Sequence, residues 1–124
     1  MNRLADRRRW SIRLPKDVPA ARTARSVVDQ WLEGTDPATA DAARSIVTEL
    51  VSNAVRFGRP PIELTVELQR VCLRIEVADG GTGTPVHRPP DDDGGWGLEI
   101  VRRLAPRHGT LERGSGVWCE LSMD

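Results

Sequence analysis

The sequence predicts an α+β fold, a two-layer sandwich in which a mixed, mostly antiparallel sheet carries three helices on one face. Three observations lead there. Apolar and polar residues alternate near residues 9–14, 62–69 and 71–78, the period of a half-buried strand. Between the first two of these stretches, apolar residues advance by three and four, the period of an amphipathic helix. Gly, Pro and Asp gather at the joints, where the period changes.

The first strand runs over Arg9 to Leu14, with Trp10, Ile12 and Leu14 on one face and Arg9, Ser11 and Arg13 on the other. Its charged outer face suits an edge position. Asp17 reads as a helix cap and Pro19 as an early helical position. Ala24, Val27, Val28, Trp31 and Leu32 then keep helical spacing up to Gly34. Asp36 and Pro37 open a second helix in the same way. Its stripe is Ala43, Ile46, Val47, Leu50, Val51 and Ala54, and Gly58, Pro60 and Pro61 stop it.

Ile62, Leu64, Val66 and Leu68 make one strand, and Val71, Leu73, Ile75 and Val77 the next. A tight turn near Gln69 and Arg70 pairs them as an antiparallel hairpin. From Asp79 to Gly95 lies a Gly/Pro/Asp loop of 17 residues, long enough to imply a functional role. A third helix is expected over Trp96 to Leu104, then strands near Thr110 to Glu112 and Val117 to Ser122, joined through Gly114-Ser115-Gly116. Cys119 shares a face with Val117 and Leu121, whereas Cys72 falls in the polar set of its strand. The two cysteines are therefore expected on opposite faces, unbridged.

At 124 residues the chain is read as one domain spanning residues 1–124, with 1–8 a flexible basic tail. Lys plus Arg (18) balance Asp plus Glu (18), which argues against a nucleic-acid coat protein. The cluster Arg7-Arg8-Arg9 reads as a solvated terminus, or as a contact for phosphate or an acidic partner. No apolar run nears the roughly 20 residues that span a bilayer, and the basic N-terminal stretch lacks the apolar h-region of a secretory signal. With two cysteines, a reduced cytoplasmic protein is the default. The two histidines, His87 and His108, lie far from any Cys pair, so no zinc spacing is present.

Three clusters carry chemistry. Glu49 and Asn53 stand four apart in the second helix and project together. A carboxylate beside an amide oxygen can hold a divalent cation and position a hydroxyl, and Mg²⁺ needs few protein ligands when phosphates supply the rest. Taken alone, the pair reads more commonly as a surface glutamate and a hydrogen-bonded asparagine. Asp79-Gly80-Gly81-Thr82-Gly83 follows an apolar strand. An Asp there can accept from an exocyclic amine such as that of adenine, while glycines allow close backbone approach. A plain glycine-rich turn is the competing reading. Gly94-Gly95-Trp96-Gly97-Leu98 opens the third helix, where free backbone N–H groups and the helix dipole favour phosphate. A simple loop-to-helix junction fits it as well.

In this order the clusters resemble the N, G1 and G2 boxes of the GHKL ATPase/kinase superfamily, and within it the short bacterial anti-sigma-factor serine kinases. The stretches Glu49-Leu50-Val51-Ser52-Asn53-Ala54-Val55-Arg56 and Gly95-Trp96-Gly97-Leu98-Glu99-Ile100-Val101 are similar to the family wording. The resemblance extends from about Trp10 to Leu121. It implies a Bergerat-type fold that binds ATP with Mg²⁺. By this resemblance Asn53 ligates the metal, Asp79 reads adenine, and Gly81 and Gly83 shape its pocket. Gly95, Gly97 and Leu98 belong to the phosphate-binding segment, and Glu49 is the general base toward an acceptor serine. The implied partners are a sigma factor and an anti-anti-sigma protein, with a homodimer as a further expectation and neither nucleic acid nor membrane. The sequence departs from the family pattern at two places. Phe57 stands where an aromatic or His follows the N box, and Ser115-Gly116 stand where relatives often carry Lys-Thr. That second departure and the acidic Asp91-Asp92-Asp93 of the short lid that the resemblance implies over His87 to Asp93 suit an alternative, a non-catalytic partner-binding module with weak or no ATP binding.

Overall fold

A computed structural model of the chain describes residues 7–81, 103–105, 107–111 and 115–123. The expected two-layer α+β sandwich is present. In chain order the elements are β1 (Arg8–Leu14), α1 (Ala20–Trp31), α2 (Pro37–Phe57), β2 (Ile62–Leu68), β3 (Cys72–Asp79), β4 (Arg107–Thr110) and β5 (Ser115–Ser122). The five strands form one sheet in the order β1-β2-β3-β5-β4. Every pairing between them is antiparallel, so the described sheet has no parallel component.

Each local signal has a physical outcome. Alternation in β1 puts Leu14 in the core and leaves Arg9, Ser11 and Arg13 exposed at the sheet edge. Arg8, at the end of the expected tail, is already paired with Leu68, and residues 1–6 lie outside the described residues. α2 begins as its sequence indicates, with Pro37 in the first turn and the Asp36 carboxylate accepting from the Thr39 N–H at 3.1 Å. Its buried set is Ala43, Ile46, Val47, Leu50, Val51 and Ala54, the stripe read from the spacing.

α1 differs at its start. Pro19, not Asp17, takes the N-cap position, and no side chain caps the helix. Asp17 sits two residues too early, and its backbone carbonyl instead accepts from the Ala20 N–H at 3.2 Å. Beyond α1 the chain reverses at Gly34, whose φ of 87° is the left-handed conformation that favours glycine.

α2 packs across β2, β3 and β5, and α1 packs on α2 and β1. The core joins the α2 stripe to Ile62, Leu64, Val66, Leu73, Ile75 and Val77 from the central strands. Each fully buried Val, Leu or Ile of this set contributes about 1.5–3 kcal/mol relative to exposure. At the margin, Trp31 does not enter the core fully. It stacks on Trp10 with ring centroids 5.8 Å apart and planes at 6°, closing the seam between α1 and β1. Arg44 ties the two helices together through Asp29 at 2.9 Å.

The hairpin turn falls one residue later than its sequence indicates. The Gln69 N–H donates to the Cys72 carbonyl at 2.9 Å, so Val71 belongs to the turn and is exposed rather than to the apolar row of β3. At the other hairpin, β4 starts earlier than expected, and Ser115 and Gly116 lie in β5 rather than in a turn. They pair with Asp79 and Ala78 of β3. Of the expected third helix, Arg103 and Leu104 are helical and Ala105 is buried in the core; the rest lies outside the described residues.

The face away from the helices is polar and internally neutralised. Register places Arg9, Glu67, Arg74, Glu120 and Arg107 side by side across all five strands, with alternating sign. Arg9 reaches Glu67, Arg74 reaches Glu120, and Arg107 reaches Glu120, each at 3.3 Å. Arg74 also donates to Glu76 at 2.8 Å and lies 4.5 Å from the Trp118 ring centroid. Burial works against its charge, but Glu76 and Glu120 outweigh this and raise its pKa. Trp118 therefore packs on this polar face and not in the core. Both cysteines are free and lie on opposite faces, Cys119 buried and Cys72 half-buried. No helix among the described residues is long and apolar enough to cross a membrane.

Candidate functional site

The apolar rows of β3 and β5 end in polar residues. Along β3 the helix-facing row is Leu73, Ile75 and Val77, and the next residue on that face is Asp79. Along β5 the row Leu121, Cys119 and Val117 leads back to Ser115. Register makes Asp79 and Ser115 direct partners. Their side chains meet on the helix-facing side of the sheet, where the Ser115 hydroxyl donates to Asp79 Oδ2 at 3.1 Å.

Two backbone donors hold the other oxygen. The Gly81 N–H donates to Asp79 Oδ1 at 2.7 Å, and the Arg59 N–H makes a longer contact of 3.4 Å to the same atom. A carboxylate offers about four acceptor positions. Among the described residues, the contacts use both positions of Oδ1 and one of Oδ2, and no described donor takes the second position of Oδ2. A fixed, half-buried carboxylate of this kind can accept a hydrogen bond from an outside amine.

Glu49 and Asn53 lie on one flank of α2 beside the buried Leu50 and Ala54, and both are half-buried. The far end of the same helix adjoins Asp79. Gly58 caps α2 through its N–H to the Ala54 carbonyl at 2.8 Å and is packed against the Asp79 carboxylate. The connector that follows is bound to the turn after β3, because the Gly80 N–H donates to the Arg59 carbonyl at 2.6 Å. One helix thus carries the candidate base and metal ligand and ends on the candidate base-reading group.

Of the site residues expected from the sequence, Glu49, Asn53, Asp79 and Gly81 fall in the described structure. Gly83, Gly95, Gly97 and Leu98 lie outside the described residues, as do the Asp91-Asp92-Asp93 segment and Trp96. Among the described residues no group of three or more His, Cys, Asp or Glu could hold a metal ion. A magnesium held by Asn53 alone, with phosphates as its other ligands, asks for no such cluster. Sequence reasoning missed Ser115, which it assigned to a turn, and the part played by Gly58 and the Arg59 backbone. The alternation of β5, continued two residues back from Val117, is the signal that finds Ser115.

A family model described as histidine kinase-like ATPase domain matches residues 14–121. Among solved structures, the chain is similar to the crystal structure of the RsbU and RsbW domains of Rv1364c from Mycobacterium tuberculosis. The TM-score is 0.68 and the identity 24%, over 93% of this chain and 31% of that one. At that identity the likeness is one of fold, and the chain spans about a third of the mycobacterial chain. No curated protein matches the sequence.

Proposed function

The chain belongs to the histidine kinase-like ATPase domain family, and from that premise we propose that it is an ATP-binding regulator of transcription that acts as an anti-sigma-factor serine/threonine kinase. Its substrate in this reading is a serine of a small anti-anti-sigma protein, and its second partner is a sigma factor. The observation that carries the nucleotide reading is the half-buried Asp79 carboxylate, fixed by the Gly81 N–H and the Ser115 hydroxyl. An exocyclic amine such as that of adenine is a donor that this carboxylate can take. Ser115, at one of the two positions that depart from the family's Lys-Thr, still brings a hydroxyl to Asp79, which supports the nucleotide reading.

The residues divide the work by position. Asp79 selects the base, Gly81 and Gly83 shape its pocket, and Gly95, Gly97 and Leu98 hold phosphates. Asn53 is the magnesium ligand. Bound Mg-ATP supplies the transferable phosphoryl group and neutralises its charge. Glu49 accepts the proton of the acceptor hydroxyl, a role typically worth about 10²–10⁴-fold in rate. Phosphoryl transfer otherwise asks for positioning and charge neutralisation. A homodimer belongs to the same reading, and sedimentation equilibrium tests it.

The decisive experiment incubates the protein with labelled ATP, Mg²⁺ and candidate anti-anti-sigma proteins. Glu49→Ala is expected to keep ATP binding and lose transfer, whereas Asn53→Ala weakens Mg-dependent binding in calorimetry. Equal transfer by Glu49→Ala removes Glu49 from the base role, and absence of ATP binding by the wild type overturns the reading as a whole.

A further inference from the structure

Gly58 ends α2 with φ −90° and ψ −176°, an extended backbone that any residue adopts. Backbone freedom therefore does not explain a glycine here. Space does. A Cβ at position 58 would lie 2.7 Å from the Ala54 carbonyl oxygen, 2.8 Å from Asp79 Cγ and 2.8 Å from Asp79 Oδ2. Oδ2 is the oxygen that the Ser115 hydroxyl reaches, with no second donor among the described residues.

Relief of that overlap has two routes, and each disturbs something built. If the Asp79 carboxylate swings away, it leaves the Gly81 N–H at 2.7 Å and the Ser115 hydroxyl at 3.1 Å. If the backbone at 58 moves instead, the capping bond to Ala54 and the bond from Gly80 to the Arg59 carbonyl are pulled with it. The connector cannot simply slide, because Pro60 fills the space over Gly80, where a Cβ would overlap the Pro60 carbonyl. The α2–β2 connector and the turn after β3 are thus interlocked, with the carboxylate between them.

We propose that Gly58 is a positioning residue for base selectivity: its missing side chain lets the Asp79 carboxylate stand against the end of α2 in the orientation that Gly81 and Ser115 hold. This deepens the ATP reading and rests on it. Gly58 does not touch the reacting atoms; it acts through Asp79.

The test compares ATP with purine riboside 5′-triphosphate, which has the same sugar and phosphates but no exocyclic amine. Wild type is expected to prefer ATP by about tenfold or more, the scale of one well-placed polar contact. Gly58→Ala should bring that preference to within about twofold while keeping affinity for the amine-free nucleotide. Equal loss for both nucleotides, or an unchanged preference, overturns the proposal. A second measurement needs no nucleotide. Gly58→Ala should lower Tm by about 5 °C or more in the wild-type background, and clearly less in an Asp79→Ala background. Equal lowering in both backgrounds overturns it, as does a double variant that fails to fold when Gly58→Ala alone also fails. If wild type binds neither nucleotide, the ATP reading falls, and the thermal comparison still decides what Gly58 accommodates.

Discussion

Ser115 and Asp79 face each other as register partners of β5 and β3, and the serine hydroxyl donates to Oδ2 across 3.1 Å. A hydrogen bond to a charged group contributes about 1.5–3 kcal/mol. Ser115→Ala should therefore weaken ATP binding by roughly tenfold, since the carboxylate loses one of the donors that aim it. Ser115→Thr keeps the hydroxyl and should bind within about twofold of wild type. Calorimetric titration of the three proteins decides the matter, and wild-type affinity in Ser115→Ala would show that Asp79 needs no such partner.

The charged row across the outer face yields a graded prediction. Glu120 has only 15% of its side chain exposed and meets both Arg74 and Arg107, whereas the Arg9 side chain at the sheet edge is 63% exposed. Glu120→Gln should cost about 1–2 kcal/mol in urea unfolding, because two guanidinium groups lose their shared carboxylate. Arg9→Ala should stay within about 0.5 kcal/mol, the usual value for an exposed pair. Costs of similar size at the two positions would mean that burial does not set the strength of this row.

Much of the architecture was legible because period and burial are one fact read twice. The α2 stripe from Ala43 to Ala54 is buried residue for residue, since apolar groups at three and four residue steps have only one face to share. What was not legible depends on register. Ser115-Gly116 reads locally as a turn, and only the pairing with Asp79 and Ala78 draws both residues into β5. Val71 carries the apolar period of β3, yet the turn bond from Gln69 to Cys72 turns it out to solvent. Asp79 was found from the glycines behind it. Two of its three described donors were not, because Arg59 and Ser115 are remote in sequence and brought there by α2 and β5. The roles given to Glu49 and Asn53 rest on the family likeness, since position on a helix flank does not by itself assign a base or a metal ligand.

The Trp10–Trp31 stack is a cross-element contact that couples β1 to α1. Parallel offset rings at 5.8 Å contribute about 0.5–1.5 kcal/mol beyond their buried area. A double-mutant cycle with Trp10→Leu and Trp31→Leu should return a coupling energy of that size, read from denaturant unfolding. Strictly additive losses would reduce the contact to two independent burials.

The last prediction concerns alkaline stability. Cys119 is 0% exposed, and burial pushes its thiol up to about 12 from an ordinary value of 9.0. Glu120 adds to the rise and Arg74 opposes it. Because the folded pKa exceeds the unfolded one, the contribution of this group is complete below pH 9. Above that, the unfolded chain ionises its thiol while the folded chain does not, so stability falls until the folded thiol titrates near 12. The slope is about 1.4 kcal/mol per pH unit for one such group. The composition makes the effect readable, since the chain has no tyrosine and Lys16 is its one lysine. Cys72 is also raised, chiefly by burial, but it is half-buried on the outer face and its share is smaller. Urea unfolding at several pH values from 8 to 11 should show this decline in the wild type. Cys119→Ala should start lower, by the loss of a buried sulfur, and decline with a clearly shallower slope. Parallel declines in the two proteins would place the alkaline loss elsewhere than in the thiol beneath α2.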